Sequence, residues 1–411
     1  MKFNMEKKKK QKKWLKFRHH VIRNIAWIVL HPYCRIKYGI RIEKFKEQKE
    51  NTPYLILLNH QTAFDQFFVG ISFKGPVYYL ASEDLFSNGF ISSLIRYLVA
   101  PIPIKKQSTD ISAIKNCIRV AREGGTIAIA PEGNRTYSGQ TCYMSPSIVS
   151  LARKLNLPIA LYRIEGGYGV HPRWSDVVRK GKMRSYVSRV IESEDYANMT
   201  DDELFKIIEN ELTINEAVSD GIFESKKKAE YLERAMYVCP FCGLTTFESH
   251  GNEIECKKCG RKITYSSNKK LCGVGFDFPF EYTLGWYNYQ ENFINKLDTT
   301  EHTKTPLYKD SANLSEVIVY KHKNLLRKQA DIALYGDRVV IDEGKENEFT
   351  LPFSEVTAIS VLGRNKLNIY HDKKIYQFKS DKRFNALKYV NIYYRNKNIV
   401  RGDPVGKFLG L

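Results

Sequence analysis

Continuous apolar runs of strand length alternate with stretches of helical period through the first half of the chain, a pattern that predicts a sheet flanked by helices. Tyr54-Leu-Ile-Leu-Leu58 and Gly125-Thr-Ile-Ala-Ile-Ala130 read as strands buried on both faces, and residues 75–80 as a third. Helices are expected over 87–98 and 110–122; the second sets Ile111, Ile114 and Ile118 on one face and stops at Gly124. Ser145-Pro146 caps a helix that ends near Asn156. Thr200-Asp-Asp-Glu203 is a capping box ahead of Leu204, Ile207, Ile208 and Leu212, within a helical stretch over 195–212 that closes the unit. A basic helix around 225–235 would then link it to the C-terminal half of the chain.

Past residue 270 the pattern changes. Aromatic residues at helical spacing in 282–294 predict a docking helix, and short strands come after it at 330–334, 338–341, 349–353, 356–362, 366–370 and 375–378. The last two flank His371-Asp-Lys-Lys374 as a hairpin. A final helix over 381–395 would bury Phe384, Leu387 and Val390 or Ile392.

Candidate chemistry sits where two strands end. The run at 54–58 leads straight into Asn59-His60, with Asp65 following in Gln61-Thr-Ala-Phe-Asp65. In open α/β sheets ligands lie outside the carboxyl ends of the strands, which is where His60 falls. Five residues of continuous helix turn through about 500°, so the two side chains would diverge if both were helical. With His60 in the turn and Asp65 in the first helical turn behind it, the carboxylate holds one imidazole nitrogen while the other takes a proton. The alternative is a capping box, in which Thr62-Ala-Phe-Asp65 only satisfies an amide at a helix start. The run at 125–130 delivers Glu132, Gly133 and Arg135 into its own loop. There glycine lets backbone amides approach an anion and the arginine fork suits phosphate, against the alternative of a surface turn with a solvated arginine. Between the two, residues 97–106 end in Lys105-Lys106, cations that face either a phosphate or solvent.

In this order the segments resemble the lysophospholipid acyltransferase superfamily, and within it the PlsC-like 1-acylglycerol-3-phosphate acyltransferases. Asn59-His60-x4-Asp65 is similar to the family's first motif, Ile104-Lys105 to its basic second, Pro131-Glu-Gly-Asn-Arg-Thr136 to its third and Leu157-Pro158-Ile-Ala-Leu161 to its fourth. The likeness spans roughly residues 20–215, with Thr62 where serine is common and Asn134 and Thr136 where threonine and serine are usual. It implies transfer of an acyl group from a thioester donor, acyl-CoA or acyl carrier protein, to the free hydroxyl of a lysophospholipid. The implied reaction takes 1-acylglycerol-3-phosphate to phosphatidic acid, with another lysolipid or glycerol-3-phosphate as alternative acceptors. His60 would be the general base and Asp65 its orienting partner. Arg135 and Lys105 would hold the acceptor phosphate, with Glu132 and Gly133 shaping that loop.

Composition adds a partner. The 411 residues carry a formal net charge of +20, which calls for a polyanion, either nucleic acid or an anionic membrane. Residues 1–23 hold ten Lys or Arg against one Glu, interleaved with Trp14, Leu15, Phe17, Val21 and Ile22, and an uncharged run comes next at 25–30. A membrane span needs about 20 apolar residues, and this run is much shorter. The arm reads as an interfacial segment on anionic lipids, which would make the protein peripheral or monotopic at a cytoplasmic membrane face. A secretory signal fits poorly because Arg23 precedes the run closely and no small-residue cleavage site comes after it. A disordered basic arm leading into an ordinary core helix is the plain alternative.

Cys239-Pro-Phe-Cys242-Gly and Cys256-Lys-Lys-Cys259-Gly are knuckles separated by 13 residues, and they predict one tetrahedral zinc on Cys239, Cys242, Cys256 and Cys259. Gly243 and Gly260 fall where the chain must turn back with positive φ. Four thiolates close the coordination sphere, so the ion would be structural. Disulfides are the alternative, disfavoured in a reducing compartment. Cys34, Cys117, Cys142 and Cys272 read as core or incidental residues and His250 as a loop residue.

The expected fold class is α/β: an acyltransferase domain with a central sheet flanked by helices, then a zinc ribbon and a small β-rich domain similar to pleckstrin-homology or GRAM barrels. The boundaries are a basic amphipathic membrane-binding segment at 1–35, the acyltransferase domain at 36–220, a linker helix at 221–237, the ribbon at 238–266, a connecting helical region at 267–305 and the barrel at 306–398. Two readings without catalysis compete. A zinc-ribbon nucleic-acid-binding protein would use the charge and the knuckles, but no RNP motif, helix-turn-helix or stacking platform accompanies them, so no nucleic-acid partner is expected. An inactive membrane adaptor would keep the fold, and the intact His60, Asp65, Glu132 and Arg135 argue against it.

Overall fold

The runs at 54–58 and 125–130 become neighbouring central strands. The computed structural model, which describes residues 13–104, 110–403 and 409–410, sets them in a seven-stranded mixed sheet. Its strands are β1 (Ile40–Ile42), β2 (Leu55–Leu58), β3 (Val77–Ser82), β4 (Ile102–Ile104), β5 (Thr126–Ile129), β6 (Ile159–Glu165) and β7 (Met183–Ile191), in spatial order β1-β7-β6-β2-β5-β3-β4. The five strands β2 to β6 run parallel; β7 is antiparallel to β6 and parallel to β1. Every residue of β2 and β5 is buried, which is why these segments are unbroken apolar runs.

Helices cover both faces: α1 (Phe17–Tyr38), α2 (Asp65–Ser72), α3 (Phe90–Val99), α4 (Ile111–Arg122), α5 (Ser147–Leu155), the short α6 (Gly167–Val170) and α7 (Ser193–Ala197), and α8 (Asp201–Leu212). Successive residues of a strand point to opposite faces. Accordingly Leu55 and Leu57 pack with Val149, Ala152, Leu204 and Ile208 on one side, while Ile56 and Leu58 pack with Cys34, Tyr38, Phe68 and Val69 on the other. Two expected ends form as read: Asn156 ends α5 in the left-handed region and the Thr200–Glu203 capping box is complete. At the start of α5, Pro146 takes the cap position, with no side-chain cap, and the first helical residue is Ser147; Asp110 proves to be the cap of α4, accepting from the amides of Ser112 and Ala113. The helix expected over 87–98 begins at Phe90, because residues 83–86 form a 3-10 turn and Gly89 enters with φ 57°. The stretch over 195–212 is two helices broken at Asn198 to Thr200.

No helix forms at 221–237. That segment is turns with one 3-10 turn at Leu232–Arg234, and Ala229, Leu232 and Ala235 are buried. Arg234 holds it down by a bidentate pair with Asp176 at 2.9 and 3.1 Å. A segment pinned in the core this way packs as a turn, whatever its helical composition.

Strands β8 (Val238–Cys239) and β9 (Gly243–Leu244) pair as a small hairpin, and β10 (Phe247–His250), β11 (Glu253–Cys256), β12 (Lys262–Tyr265) and β13 (Leu271–Gly273) form a four-stranded antiparallel sheet. The aromatic segment is α9 (Thr283–Lys296), with Trp286, Tyr287 and Ile294 buried. The C-terminal region is β-rich: β14 (Tyr308–Val317), β15 (Lys323–Leu334), β16 (Arg338–Ile341), β17 (Phe349–Pro352), β18 (Val356–Leu362), β19 (Lys366–His371) and β20 (Lys374–Lys379), then α10 (Leu387–Val400). The sheet is antiparallel, in order β17-β16-β15-β14-β20-β19-β18. The sequence does not announce β14, which is mostly polar. The last helix starts at Leu387 and not near 381, because the Asp381 carboxylate accepts from the amides of Arg383 and Phe384 and makes a turn first. Tyr137, Tyr168 and Trp174 of the first unit share one apolar core with Cys239, Trp286, Leu367 and Tyr389, so the three units are packed together.

Candidate active site

Asn59 ends β2 and spans to β6: its Nδ2 donates to the Ile164 carbonyl at 2.9 Å and its Oδ1 accepts from the Ile164 amide at 2.8 Å. That bridge fixes the turn in which His60 sits, at the carboxyl end of the parallel strands. His60 Nδ1 lies 2.8 Å from Asp65 Oδ2. Asp65 is the first residue of α2 and is fully buried, while a quarter of the imidazole remains open. The same carboxylate accepts from the amides of Gln61 at 2.7 Å and Thr62 at 2.9 Å, and from the Thr62 hydroxyl at 2.7 Å. The capping and the histidine contact thus coexist in one carboxylate. A carboxylate offers only acceptors, so Nδ1 carries the proton and Nε2 is the basic nitrogen.

Glu132, from the loop after β5, ties the two strand ends together. Its Oε1 accepts from the His60 amide and its Oε2 from the Cys142 amide, both at 2.7 Å. Burial pushes its carboxyl up to about 8, against the pull of those two amides. Gly133 holds φ 65° with nothing within 4 Å of where a Cβ would stand, so its backbone conformation requires glycine and its flank is open.

Arg135 is buried, at 8% exposed, and its Nη1 has no hydrogen-bond partner. Burial, with Arg173 and Arg364 nearby, depresses its guanidinium to about 10, which leaves it charged at neutral pH. A buried unpaired cation among other cations is costly unless an anion joins it. Sequence reasoning missed its neighbours. Arg173 donates to the carbonyls of Arg135 at 2.9 Å and of Gly363 and Val361 at 3.2 Å, and lies 4.3 Å over the Tyr137 ring. Arg364, in the turn between β18 and β19, reaches His171 Nε2 at 2.9 Å and Asp176 at 3.0 Å, and its carbonyl accepts from the Tyr137 hydroxyl at 3.2 Å. The arginine loop is therefore backed by the β-rich region, some 230 residues away in sequence. Lys105 lies outside the described residues.

The four cysteines of the knuckles converge. Their sulfurs lie within 4.8 Å of one another, with Cys239 and Cys259 3.9 Å apart and Cys242 and Cys256 3.5 Å apart. Zinc–sulfur bonds of about 2.3 Å put tetrahedral ligands about 3.8 Å apart, so the donor set fits. Gly243 and Gly260 have φ 76° and 71°, as the knuckle turns require.

Residues 39–164 match the family model described as Acyltransferase. The chain carries an acyltransferase domain. It is 24% identical over 198 residues to a 1-acyl-sn-glycerol-3-phosphate acyltransferase of Bacillus subtilis (strain 168), covering 48% of this chain and 93% of that one. It is 30% identical over 122 residues to the enzyme of the same description from Borreliella burgdorferi, covering 28% of this chain and 48% of that one. Among solved structures, the 1-acyl-sn-glycerophosphate acyltransferase PlsC from Thermotoga maritima aligns over 47% of this chain and 75% of its own at 17% identity, with a TM-score of 0.37. The matched acyltransferase segment contains His60, Asp65, Glu132, Gly133 and Arg135; the cysteine cluster and the C-terminal β-rich region lie beyond it.

Proposed function

We propose that the protein transfers a fatty acyl group from a thioester donor to the free hydroxyl of 1-acylglycerol-3-phosphate. The observation that carries this reading is the 2.8 Å contact between His60 Nδ1 and the buried Asp65, beside the buried, unpaired Arg135. His60 Nε2 takes the hydroxyl proton, and Asp65 holds the ring and stabilises the imidazolium that forms. The alkoxide oxygen attacks the thioester carbonyl, forming the ester bond as the carbon–sulfur bond breaks. The thiolate leaves readily because its conjugate acid has a pKa of about 8.5, so no covalent acyl-enzyme is required. Arg135 pairs with the acceptor phosphate, with Lys105 as its second cation, and Glu132 and Gly133 set the shape of the loop. The Bacillus and Borreliella relatives carry the name of this activity. The donor is acyl-CoA or acyl carrier protein.

The remaining units are read as support. Cys239, Cys242, Cys256 and Cys259 would hold one zinc ion that cross-links the β8–β11 region without entering the chemistry. The C-terminal antiparallel strands with α10 fit a pleckstrin-homology or GRAM-like barrel that braces the arginine loop. No helix among the described residues is long and apolar enough to cross a membrane. α1 turns Phe17, Ile25, Ile28, Val29 and Ile36 outward, which suits a helix lying in the headgroups of an anionic membrane, as a peripheral or monotopic attachment on the cytoplasmic face. The deciding experiment is an assay of purified protein against 1-acylglycerol-3-phosphate, glycerol-3-phosphate and phosphodiester lysolipids with both donors. Turnover confined to an acceptor without a phosphate monoester would reject the assignment.

A further inference from the structure

Helix α3 buries one of its two serines and exposes much of its apolar surface. Ser92 is buried and donates to the Leu85 carbonyl at 2.6 Å while accepting from the Asn88 amide at 2.8 Å. Four of its large apolar residues face outward, Phe90 at 81% exposed, Ile91 at 61%, Leu94 at 42% and Tyr97 at 59%, while Ile95 and Leu98 are half-buried. At about 100° per residue these four fall within one 120° sector, so they make a continuous stripe. A stripe of this kind on a folded chain marks a surface that something else covers.

The stripe is joined at both ends to other exposed apolar residues. At its start the Gly89 amide donates to the Lys321 carbonyl at 3.0 Å, and the Phe86 and Tyr320 rings lie 5.7 Å apart. This brings in the β14–β15 hairpin, whose turn exposes Tyr320 and whose strand β15 exposes Leu325 and Leu326, one on each face. At its end Arg18 donates to the Tyr97 carbonyl at 2.8 Å and stacks 4.1 Å over the Tyr97 ring, which joins the stripe to the outward face of α1. Residues 85–104 and 317–330 contain no Asp or Glu. Lys323 pairs with Asp84 at 2.6 Å and Arg327 with Asp342 at 3.0 Å, while Arg96, Lys321 and Lys328 add positive charge beside the apolar side chains. α3 also leaves the carboxyl end of β3, a parallel strand one place from β2 across β5, so the stripe begins at the end of the sheet where His60 opens.

We infer that α3 and the β14–β15 hairpin form a further lipid-docking surface, contiguous with α1, which seats the mouth of the active site on an anionic bilayer. Apolar side chains with an excess of cations around them match an acyl-chain and phosphate-headgroup boundary. A second copy of the chain would bring like charge against like, and nucleic acid would leave the aliphatic stripe unburied. The surface belongs jointly to the acyltransferase domain and the β-rich region. It extends the proposed membrane attachment from a tether to an orientation, with acceptor and product exchanging directly with the bilayer.

The test uses the full chain with two exposed double variants, Ile91→Asp/Leu94→Asp and Leu325→Asp/Leu326→Asp, and a deletion of residues 1–12, which spares Trp14, Arg18 and the start of α1. Each is measured by co-flotation with vesicles of equal parts phosphatidylcholine and phosphatidylglycerol. Either double variant should lower the partition coefficient by about tenfold or more, since each replaces two apolar side chains of the docking surface by carboxylates. Turnover of a detergent-dispersed short-chain acceptor should be unchanged, and turnover of acceptor embedded in the vesicles should fall. If the deletion abolishes flotation while both double variants float as wild type, the arm alone docks and the inference fails, with the membrane reading intact. If wild type itself does not float, both fail. If wild type binds a duplex oligonucleotide more tightly than vesicles at physiological salt, and the double variants lose that binding, the surface is for nucleic acid and the inference is overturned.

Discussion

Arg173 Nη1 donates to the backbone carbonyl of Arg135 at 2.9 Å, and the same guanidinium reaches the carbonyls of Val361 and Gly363 in the β-rich region. Arg173→Met keeps an unbranched stem and removes all three donors. Leaving buried carbonyls unpaired should destabilise the protein by about 1–3 kcal/mol, read from chemical denaturation. The loop bearing Arg135 should loosen with it, so the KM for the phosphate-bearing acceptor rises while the donor KM stays near wild type.

Replacing the base should stop the chemistry without unfolding the chain. His60→Ala is expected to lower kcat/KM by about 10²- to 10⁴-fold with an unchanged melting temperature. Asp65→Asn puts an amide donor beside Nδ1 and favours the wrong tautomer, leaving a small residual rate. Near wild-type turnover of His60→Ala would reject the mechanism.

Arg135→Ala removes the unpaired guanidinium, so its effect should fall on the acceptor. The acceptor KM should rise severalfold or more and the donor KM little. A raised donor KM with an unchanged acceptor KM would assign this loop to the phosphates of CoA or of the carrier protein.

The cysteine cluster predicts one zinc per chain by elemental analysis of protein purified without chelator. Chelation should lower the melting temperature, because the apolar core that contains Cys239 and Cys256 also contains Trp174 and Trp286. Cutting the chain before Cys239 strips the Val361 and Gly363 carbonyls from Arg173 and opens that core. The truncated protein should therefore be less stable and less active than the full chain. An absence of zinc would discard the ribbon.

His171 is buried, and its Nε2 accepts from Arg364, which fits only the neutral ring. Burial, then Arg364 and Arg135, depress it to about 3 from an ordinary value of 6.5. The unfolded chain therefore binds the extra proton between those values, so the stability His171 contributes is present above about pH 6.5 and is lost as the pH falls toward 3. His171→Gln, which accepts through Oε1 and does not titrate, should flatten the fall in melting temperature over that window. Identical pH profiles for wild type and variant would remove His171 from the acid response.

The sequence by itself determined what depends on local order. The buried runs of β2 and β5, the helix ends at Asn156 and Thr200, and the turn carrying His60 five residues before Asp65 arise from apolar periodicity and cap chemistry within a few residues. The cysteine knuckles are equally local, since each Cys-x2-Cys closes on its own glycine turn. Segments whose conformation is set by distant contacts misled or escaped it. The segment at 225–235 has the composition of a helix, yet the Arg234–Asp176 pair holds it as a buried turn; β14 is too polar to be recognised without its partners β15 and β20. Only the tertiary structure decided that Glu132 bridges the amides of His60 and Cys142, that Arg364 and the Val361 carbonyl back the Arg135 loop, and that α3 turns Ser92 inward and Phe90 outward. Side-chain periodicity says which residues share a face, but which face meets the protein and which meets the solvent is settled by the neighbours that a chain this long brings together.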